Sequence, residues 1–403
     1  MSSTKLSKGR LKMLLNIMML PIYLLTFLVP KNSKLLVLGS SRGQGLSDNS
    51  KYFYLYLKSL EKKNVQIHSY YFITKDKKTY SEAKDKDIIY MYSIKGLITL
   101  IRARHAIITH SLDDLVPFLL GGKIIHQLWH GTPLKKIGLD SDSWGDSQFK
   151  DLAKQFLYKV FPYLNYMHCT YLYTSSEFVN NSMSTAFGIK SENIKPLGQP
   201  RNGYLLELVN DYSLWNEGES IFTKYEKIIS WLPTHRGFSG KTITDMLNDY
   251  GFEKEEFNNR LKREGYLFVI KPHFVELQNL KEVFKDCENI WVYEQLDPYP
   301  LINKTEILIT DYSSILFDYL LLNRRAIFAP FDYDFYVENI SELYYEYEEI
   351  AYGDIACNWK EVLNLIFEEE DIQYSLKRKK LFEKFCAADR DSAQKIYNFI
   401  ESN

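Results

Sequence analysis

The sequence predicts an α/β protein of two domains, each built around a parallel sheet. Short apolar runs of strand length alternate with helical or turn-like segments, which is typical of parallel sheets covered on both faces. The chain has 403 residues, enough for two domains, and 45% of them are apolar, enough for each half to bury a core. Polar clusters follow the strands at their carboxyl ends, where such sheets bind ligands.

Composition excludes several classes of function. The formal net charge is −1, so bulk electrostatics give no case for a nucleic-acid partner. The 4 cysteines are scattered without a CxxC pair, so neither a zinc site nor a disulfide framework is indicated, and a reducing cytosolic setting fits. No repeat or low-complexity tract stands out.

The first element is the apolar run from Leu11 to Pro30, which has basic residues on both sides. A cleaved signal peptide is disfavoured because no small-residue cleavage site follows. A membrane-spanning helix is weakened by Asn16, Pro21 and Thr26. We expect a helix or helix pair, broken at Pro21, that lies in the membrane interface near anionic headgroups. The alternative is a buried core helix. Residues 1–33 are assigned to this segment.

The first α/β domain is predicted over residues 34–195. It begins with a strand over 34–39, a Gly-containing loop and a capped helix over 51–62. The loop matches GxGxxG only in part, so alone it is weak evidence for a phosphate site. Further strands are predicted over 65–74, 87–92, 105–110, 123–128 and 169–174. Helices are predicted over 146–161 and 177–187, the second ending at Gly188.

The stretch WHGTPLKK follows the strand over 123–128. Gly bends freely and Pro lacks a backbone donor, so the strand cannot continue, and His130 is expected at its carboxyl end. The two lysines that follow, Lys135 and Lys136, would suit an anionic ligand. For a lone histidine the alternative is a hydrogen-bonded structural residue.

The second domain is predicted over residues 196–375, because turn residues cluster from Pro196 to Gly203. Its strands are predicted over 227–232, 266–270, 290–293, 306–310 and 325–329, with a helix over 315–322. The periodic, charged remainder from Trp359 to Ile400 is predicted to be helical. This remainder is expected to pack back across both domains, and residues 376–403 are assigned to a C-terminal helical segment.

Two Rossmann-like domains of this kind are expected to face each other across a cleft. Ser313 and Ser314 precede a helix, whose free N–H groups and dipole would favour an anion. Cationic side chains come from three loops: Arg201, Arg236 and Lys271. A diphosphate is therefore the expected ligand. Asp318 would accept hydrogen bonds from ligand hydroxyls, or it is a solvated or capping carboxylate.

Transfer from a nucleotide diphosphate ester requires a base for the attacking hydroxyl, because the leaving phosphate is already stabilised. We predict His130 as this base and His273 as the group on the phosphates, the two imidazoles facing each other over one pyrophosphate. His235 and His126 are weaker candidates. No P-loop pattern is present, and the short DxD triplets are weak signals. No metal ligand is therefore predicted, and Mg²⁺ is compatible but not indicated.

Together these residues resemble the CDP-glycerol glycerophosphotransferase family of teichoic acid and capsule synthesis. Six stretches carry the resemblance in the family's order: SDNSKYFYLYL, LWHGTPLKKIGLD, GQPRNGYL, WLPTHRG, IKPH and ITDYSSILFDYLLLNRRAIF. They extend from Ser47 to Phe328.

The resemblance implies a glycosyltransferase-B type fold and peripheral attachment to the cytoplasmic face of the membrane. It also implies transfer of glycerol phosphate from CDP-glycerol to a lipid-linked saccharide or polyol-phosphate acceptor, with release of CMP and no required cofactor. By motif, the catalytic histidines fall on His130 and His273. The implied donor contacts are Trp129, Gly131, Thr132, Pro133, Arg201, Pro233, Thr234, Lys271, Pro272, Ser313, Ser314 and Asp318.

Several alternatives remain open at this stage. Some family polymerases have a large extra amino-terminal region that this chain lacks, so a short-chain member such as a primase is favoured over a long-chain polymerase. Ribitolphosphotransferases that use CDP-ribitol share the motifs. A sugar transferase of the same fold, or an inactive nucleotide-binding scaffold protein, are the other readings.

Overall fold

The structure is a computed structural model that describes residues 17–141, 156–206, 219–236, 241–273, 275–386, 388 and 390–403. By contacts the chain divides into two compact units. The first takes the ranges Met1–His130, Gly138–Gly203 and Asp391–Asn403, and the second takes Gly131–Ile137 and Tyr204–Arg390.

This division differs from the predicted one in the short segment Gly131–Ile137. The backbone of this segment pairs within the second unit: Tyr344 N donates to the Leu134 carbonyl at 2.8 Å, and Lys136 N donates to the Glu342 carbonyl at 2.9 Å. A local pattern cannot reveal such long-range pairing. Two further differences concern the ends of the predicted second domain. Residues 196–203, which include Arg201, belong to the first unit, and only the part of the predicted C-terminal segment from Asp391 on belongs to that unit.

Seven strands form the sheet of the first unit. They are β1 (Asn32–Leu38), β2 (Ser69–Thr74), β3 (Ile88–Tyr90), β4 (Ala103–Ile108), β5 (Ile124–Gln127), β6 (Tyr171–Tyr173) and β7 (Ile194–Lys195). Their spatial order is β3-β2-β1-β4-β5-β6-β7, and every pairing is parallel. The order reverses between β1 and β4, where the connections diverge and leave a crevice at the strands' carboxyl ends.

The helices of the first unit begin with α1 (Leu20–Thr26), α2 (Asp48–Lys62), α3 (Lys77–Glu82) and α4 (Ile94–Arg102). Next come α5 (Asn180–Phe187) and α6 (Pro200–Leu205), whose last two residues belong to the second unit. As predicted, α5 ends at Gly188, which has a left-handed φ of 62° that glycine adopts without strain. A turn of 3₁₀ helix, Glu177–Val179, occupies the start of the predicted helix.

The described part of the apolar amino-terminal run starts at Ile17. Ile17 and Met18 are helical, Met19 is a turn, and α1 then runs for 7 residues with Pro21 in its first turn. Proline is well tolerated there because that N–H would have no helical partner. Among the described residues no helix combines the length and apolarity required to cross a membrane. Leu11 to Asn16 lie outside the described residues.

Six strands form the sheet of the second unit. They are β8 (Lys227–Leu232), β9 (Tyr266–Ile270), β10 (Ile290–Val292), β11 (Ile307–Thr310), β12 (Arg325–Phe328) and β13 (Asp354–Ile355). Their order is β10-β9-β8-β11-β12-β13, again parallel throughout. Counted from β8, this is the same order as the first six strands of the other sheet, so both units are Rossmann-like.

The helices of the second unit are α7 (Glu219–Phe222), α8 (Ile243–Asn248), α9 (Lys254–Glu264), α10 (Leu277–Phe284), α11 (Tyr299–Lys304), α12 (Ile315–Tyr319), α13 (Tyr333–Asn339), α14 (Tyr347–Ile350), α15 (Trp359–Phe367) and α16 (Ile372–Phe385). Trp359 of α15 lies edge-on to Trp231 of β8, with ring centroids 4.6 Å apart. The indole N–H of Trp359 donates to the Met246 carbonyl at 2.9 Å, so its burial leaves no unsatisfied donor.

The last helix, α17 (Ser392–Glu401), belongs to the first unit. Its Tyr397 hydroxyl accepts a hydrogen bond from the His68 backbone N–H at 3.0 Å. The predicted helical region 359–400 is therefore three helices, of which the last packs on the first unit. The predicted helix over 146–161 falls mostly outside the described residues.

Candidate active site

The first group of site residues lies at the carboxyl edge of the first sheet. Because its strands are parallel, the segments after β1, β4 and β5 emerge at the same edge, as the sequence predicted for His130. The turn after β5 is conformationally constrained. Trp129 has a left-handed φ of 56° and Gly131 has a φ of 143°, values that L-residues rarely adopt. Such outliers concentrate at functional sites.

His130 is half-buried between aromatic rings. Its imidazole stacks on that of His110, with ring centroids 4.7 Å apart and planes 14° apart, and the Trp129 ring is 3.9 Å away. The Nδ1 atom is 3.4 Å from the Thr109 carbonyl, which can only accept, so Nδ1 carries the proton. The other nitrogen, Nε2, then has a lone pair that can accept a proton.

Burial, followed by the nearby His110, lowers the pKa of His130 to about 3, against the opposing attraction of Asp48. The imidazole is therefore neutral near pH 7. A neutral ring is the form that a general base requires.

Arg201 joins this group through α2. Its guanidinium Nη1 donates to Asp48 Oδ1 at 2.7 Å, and its backbone N–H donates to Asn49 Oδ1 at 3.0 Å. The Asn49 amide in turn donates to the Trp129 carbonyl at 2.9 Å. Asp48, Asn49 and His110 were not predicted as site residues. SDNS was interpreted as a loop, a helix cap and part of a family motif, with no role for its side chains, and Arg201 lies far away in sequence.

The Gly-containing loop after β1 contacts a buried carboxyl group of the protein itself. Asp114 accepts hydrogen bonds from the backbone N–H groups of Arg42 at 2.7 Å, Thr109 at 2.8 Å and His110 at 2.7 Å. Its carboxylate is fully buried. Of the three donors, the Arg42 N–H belongs to the Gly-containing loop, and the other two belong to the segment after β4.

In the second unit, three predicted segments follow the neighbouring strands β8, β9 and β11: Pro233–Arg236, Lys271–His273 and Asp311–Ser314. His273 stacks on His235, with ring centroids 4.1 Å apart and planes 15° apart. Burial and then the adjacent His235 and Lys271 lower the pKa of His273. Each predicted catalytic histidine is thus stacked on a second histidine, and His235 is the partner in this unit.

Lys271 and Thr234 occupy the same edge. Burial lowers the pKa of Lys271, whereas Asp297 opposes this effect. The Lys271 Nζ donates to the Pro272 carbonyl at 3.3 Å. The Thr234 backbone N–H donates to Asp311 at 2.9 Å. The buried Thr234 hydroxyl has no hydrogen-bond partner within the described part of the chain. Buried polar atoms without a partner are uncommon, and a ligand is one explanation.

Arg236 was predicted to supply positive charge to a ligand, but the fold itself occupies its guanidinium. Nε and Nη2 donate to Asp332 at 2.6 and 2.9 Å, Nη2 donates to Asp311 at 2.8 Å, and Nη1 donates to the Thr234 carbonyl at 2.8 Å. The residue is only 3% exposed. The geometry therefore gives Arg236 the role of shaping the loop after β8.

The predicted anion site at Ser313 and Ser314 precedes a shorter helix than expected, because α12 has only 5 residues before a 3₁₀ turn. Both serines are half-buried. Asp318 is 2% exposed and accepts a hydrogen bond from the Tyr299 hydroxyl at 2.6 Å, so it is neither solvated nor a helix cap.

The remaining predicted contacts, Gly131, Thr132 and Pro133, belong by contacts to the second unit, whereas Trp129 and His130 belong to the first. Of the two lysines that follow, Lys136 forms an ion pair with Glu342. Burial lowers the pKa of Lys135, although Asp311 opposes it. Among the described residues there is no group of three or more His, Cys, Asp or Glu side chains suited to a metal ion.

The fold and these sites define a class of protein with two Rossmann-like units, each of which carries histidines and cations at the carboxyl edge of a parallel sheet. Residues 22–402 match the family described as CDP-Glycerol:Poly(glycerophosphate) glycerophosphotransferase, and the chain belongs to this family. The resemblance inferred from the six stretches is thereby confirmed.

Characterised relatives agree with this assignment. A teichoic acid poly(glycerol phosphate) polymerase of Bacillus spizizenii is 26% identical over 403 residues, which cover 96% of this chain and 98% of that protein. A teichoic acid glycerol-phosphate transferase of Staphylococcus aureus is 27% identical and covers 92% of this chain and 93% of its own length. A teichoic acid poly(ribitol-phosphate) polymerase of Bacillus spizizenii is 28% identical over 64% of this chain and 41% of that protein.

The fold has solved counterparts. The wall teichoic acid polymerase TagF matches with a TM-score of 0.73 and 22% identity over 99% of this chain and 97% of that chain. A TagF variant soaked with CDPG matches with a TM-score of 0.72 at the same identity and coverage. At this identity the likeness establishes the fold alone.

Proposed function

We propose that this protein transfers glycerol phosphate from CDP-glycerol to a hydroxyl group of a lipid-linked teichoic acid or capsule precursor and releases CMP. Family membership supports a glycerophosphotransferase, and the TagF crystals soaked with CDPG support the donor. The observation that carries the proposal is His130, a half-buried imidazole at a strand's carboxyl end, whose low pKa keeps it neutral. No cofactor is part of the proposal.

In the proposed reaction, Nε2 of His130 takes the proton of the acceptor hydroxyl as its oxygen attacks the phosphorus that bears glycerol. The bond from this phosphorus to the bridging oxygen breaks, and its electron pair leaves with CMP. His273 and Lys271 stabilise the charge on the diphosphate. The donor contacts proposed here are Trp129, Gly131, Thr132, Pro133, Arg201, Pro233, Thr234, Lys271, Pro272, Ser313, Ser314 and Asp318.

The test measures CMP release by the purified full chain with CDP-glycerol and a lipid-linked acceptor. His130→Ala and His273→Ala should each lower kcat by at least about a hundredfold. Because both are proposed to act on one donor, the double variant should be no slower than the slower single variant. The proposal would be contradicted if both single variants kept the activity of the wild type. It would also be contradicted if the loss of kcat in the double variant were the product of the two single losses.

CDP-ribitol is the second candidate donor, since a ribitol-phosphate polymerase is among the relatives. Competition between CDP-glycerol and CDP-ribitol in the same assay decides between them by the ratio of kcat/KM values. Release only from a nucleotide sugar would identify a sugar transferase. Donor binding without any release would favour a scaffold protein. The proposed location is the cytoplasmic face of the membrane, with peripheral attachment.

A further inference from the structure

Asp48 is a strained residue beside the proposed base. It is the first residue of α2, yet its φ is 56°, in the left-handed region that costs a non-glycine residue conformational energy. At the helix start Ser47 makes no side-chain capping bond, and Asp48 Oδ1 accepts a hydrogen bond from the Asn49 backbone N–H at 2.8 Å. The carboxylate also has contacts beyond the helix start.

The carboxylate and its neighbour connect two parts of the first site. Asp48 Oδ1 accepts from the Arg201 guanidinium at 2.7 Å, where the arginine side chain is 3% exposed and the aspartate side chain 18%. Asn49 contacts both the Arg201 backbone N–H and the carbonyl of Trp129, directly before His130. The dipeptide 48–49 thus fixes α6 against the turn that carries the base.

The charges around His130 come from three elements. His110, after β4, and Arg201, in α6, disfavour a positive imidazole, whereas Asp48, in α2, and the Thr109 carbonyl favour it. Burial opposes ionisation of Asp48, but Arg201, then His110 and His130, overcome it and lower its pKa. Asp48 is thus negatively charged near pH 7. Asp114, the other nearby carboxylate, is engaged by backbone N–H groups of the loops after β1 and β4.

We propose that Asp48 is a positioning residue of the transfer reaction, whose carboxylate holds Arg201 in place and balances the charge that His130 gains with the acceptor proton. This inference rests on the proposed function. When His130 takes the proton, a buried cation forms beside Arg201 and His110, and an unbalanced charge there is costly. A fixed carboxylate lowers this cost in the transition state without taking the proton itself.

The test compares Asp48→Asn with the wild-type full chain in the CMP-release assay. Asparagine has nearly the same shape, tolerates a left-handed φ as well as aspartate does, and can still accept from Arg201, so only the charge is removed. We expect kcat to fall at least tenfold, by more than the donor KM rises. Asp48→Glu, which restores the charge at a different reach, should recover part of the loss.

Asp391→Asn is a matched control. Asp391 also has a left-handed φ, 58°, and also stands at the start of a helix, α17, where it is exposed. Its kcat should equal that of the wild type. If Asp48→Asn retains wild-type kcat while the wild type releases CMP, the inference on Asp48 is wrong and the proposed function stands.

If the wild type releases CMP from neither CDP-polyol, the proposed function fails, and a second readout decides on Asp48. Carbethoxylation of His130 by diethylpyrocarbonate at pH 7, followed by peptide mass spectrometry, reports the basicity of this ring without any substrate. Asp48→Asn should slow it about threefold or more, because nucleophilicity follows basicity. Modification of His68 should be unchanged, and an unchanged rate at His130 overturns the inference.

Discussion

At the scale of single residues, Arg236 illustrates a cation that the fold has already paired. Its side chain and those of Asp311 and Asp332 are each at most 2% exposed, so three charges are buried together. The two carboxylates raise the pKa of the guanidinium despite its burial. Such a group stabilises the loop after β8 only while all three partners are present.

We predict that Arg236→Ala lowers the free energy of unfolding by about 3–5 kcal/mol, because it leaves two buried carboxylates without the guanidinium that pairs with both. Urea denaturation followed by circular dichroism measures the change. Lys241→Ala is the control, because the Lys241–Asp249 pair is exposed and should contribute less than about 1 kcal/mol. If Arg236→Ala left the stability unchanged and raised the donor KM, Arg236 would instead be a donor-binding residue, as the sequence predicted.

The positions of site residues could be predicted where the local sequence determines them. The sequence Gly131-Thr132-Pro133 predicts that His130 follows a strand end. The structure agrees, because β5 ends at Gln127 and the turn after it includes Gly131 with a φ of 143°. The partners of His130 were not predictable. Asp48 and Arg201 meet only because α2 and α6 converge on one edge of the sheet, which no single-sequence pattern specifies.

At the scale of elements, the histidines of β4 and β5 are part of the sheet and not of the site. His105 Nδ1 lies 3.1 Å from His126 Nε2, and His126 Nδ1 lies 2.8 Å from the Tyr173 hydroxyl of β6. His126 is fully buried with both nitrogens hydrogen-bonded. Its sequence-based candidacy as a catalytic group is therefore wrong.

We predict that these histidines make stability fall in acid. Burial, and then His105, lowers the pKa of His126 well below its usual value, and burial lowers the pKa of His105 to about 4. Between pH 7 and pH 5 the unfolded chain therefore binds protons that the folded chain does not. The free energy of unfolding should decrease as pH falls through about 6.5, by about 2 kcal/mol at pH 5 for each such histidine.

Urea denaturation from pH 5 to pH 8 measures this dependence for the wild type and His126→Gln. The glutamine keeps a hydrogen-bonding group but takes up no proton, so its curve should be flatter. At pH 8 both proteins are neutral at this position, and their difference there gives the cost of the substitution itself. If the two curves are parallel over the whole range, His126 binds protons equally in the folded and the unfolded chain, and the prediction is wrong.

The boundaries of helices and strands could likewise be predicted where local sequence determines them, but not where long-range pairing does. The strands β8 and β9 begin and end where their apolar runs predict. The strands β7 and β13 have 2 residues each and exist only through pairing with β6 and β12, so no periodicity could reveal them. Helix α13 was not predicted either.

At the scale of the whole molecule, the chain contains two units with the same order of parallel strands, and each places histidines and cations after its strands. This much follows from the alternation of apolar runs and polar clusters. The exchange of segment Gly131–Ile137 and of α17 between the units does not, because it depends on pairings such as Tyr344 N with the Leu134 carbonyl.

The proposed membrane attachment depends on one face of α1, which ends at Thr26, and on Leu28 in the turn that follows. Leu24, Leu25 and Leu28 are 56%, 59% and 77% exposed, an apolar cluster that water solvates poorly. The opposite face packs within the first unit, where the Tyr23 ring lies 4.4 Å from that of Tyr163. The exposed leucines can therefore be changed without disturbing the packed face.

We predict that the triple variant Leu24→Ser, Leu25→Ser and Leu28→Ser binds phosphatidylglycerol vesicles at least tenfold more weakly than the wild type in a sedimentation assay, because three apolar side chains no longer enter the interface. Deletion of residues 1–30 should shift the protein from the membrane to the soluble fraction in cells. The control changes three equally exposed apolar residues of the second unit, Val275, Leu296 and Ile372, to serine and should bind like the wild type. Equal losses in both triple variants would mean that general surface apolarity drives the binding, and unchanged binding of the α1 variant would place the attachment on another surface.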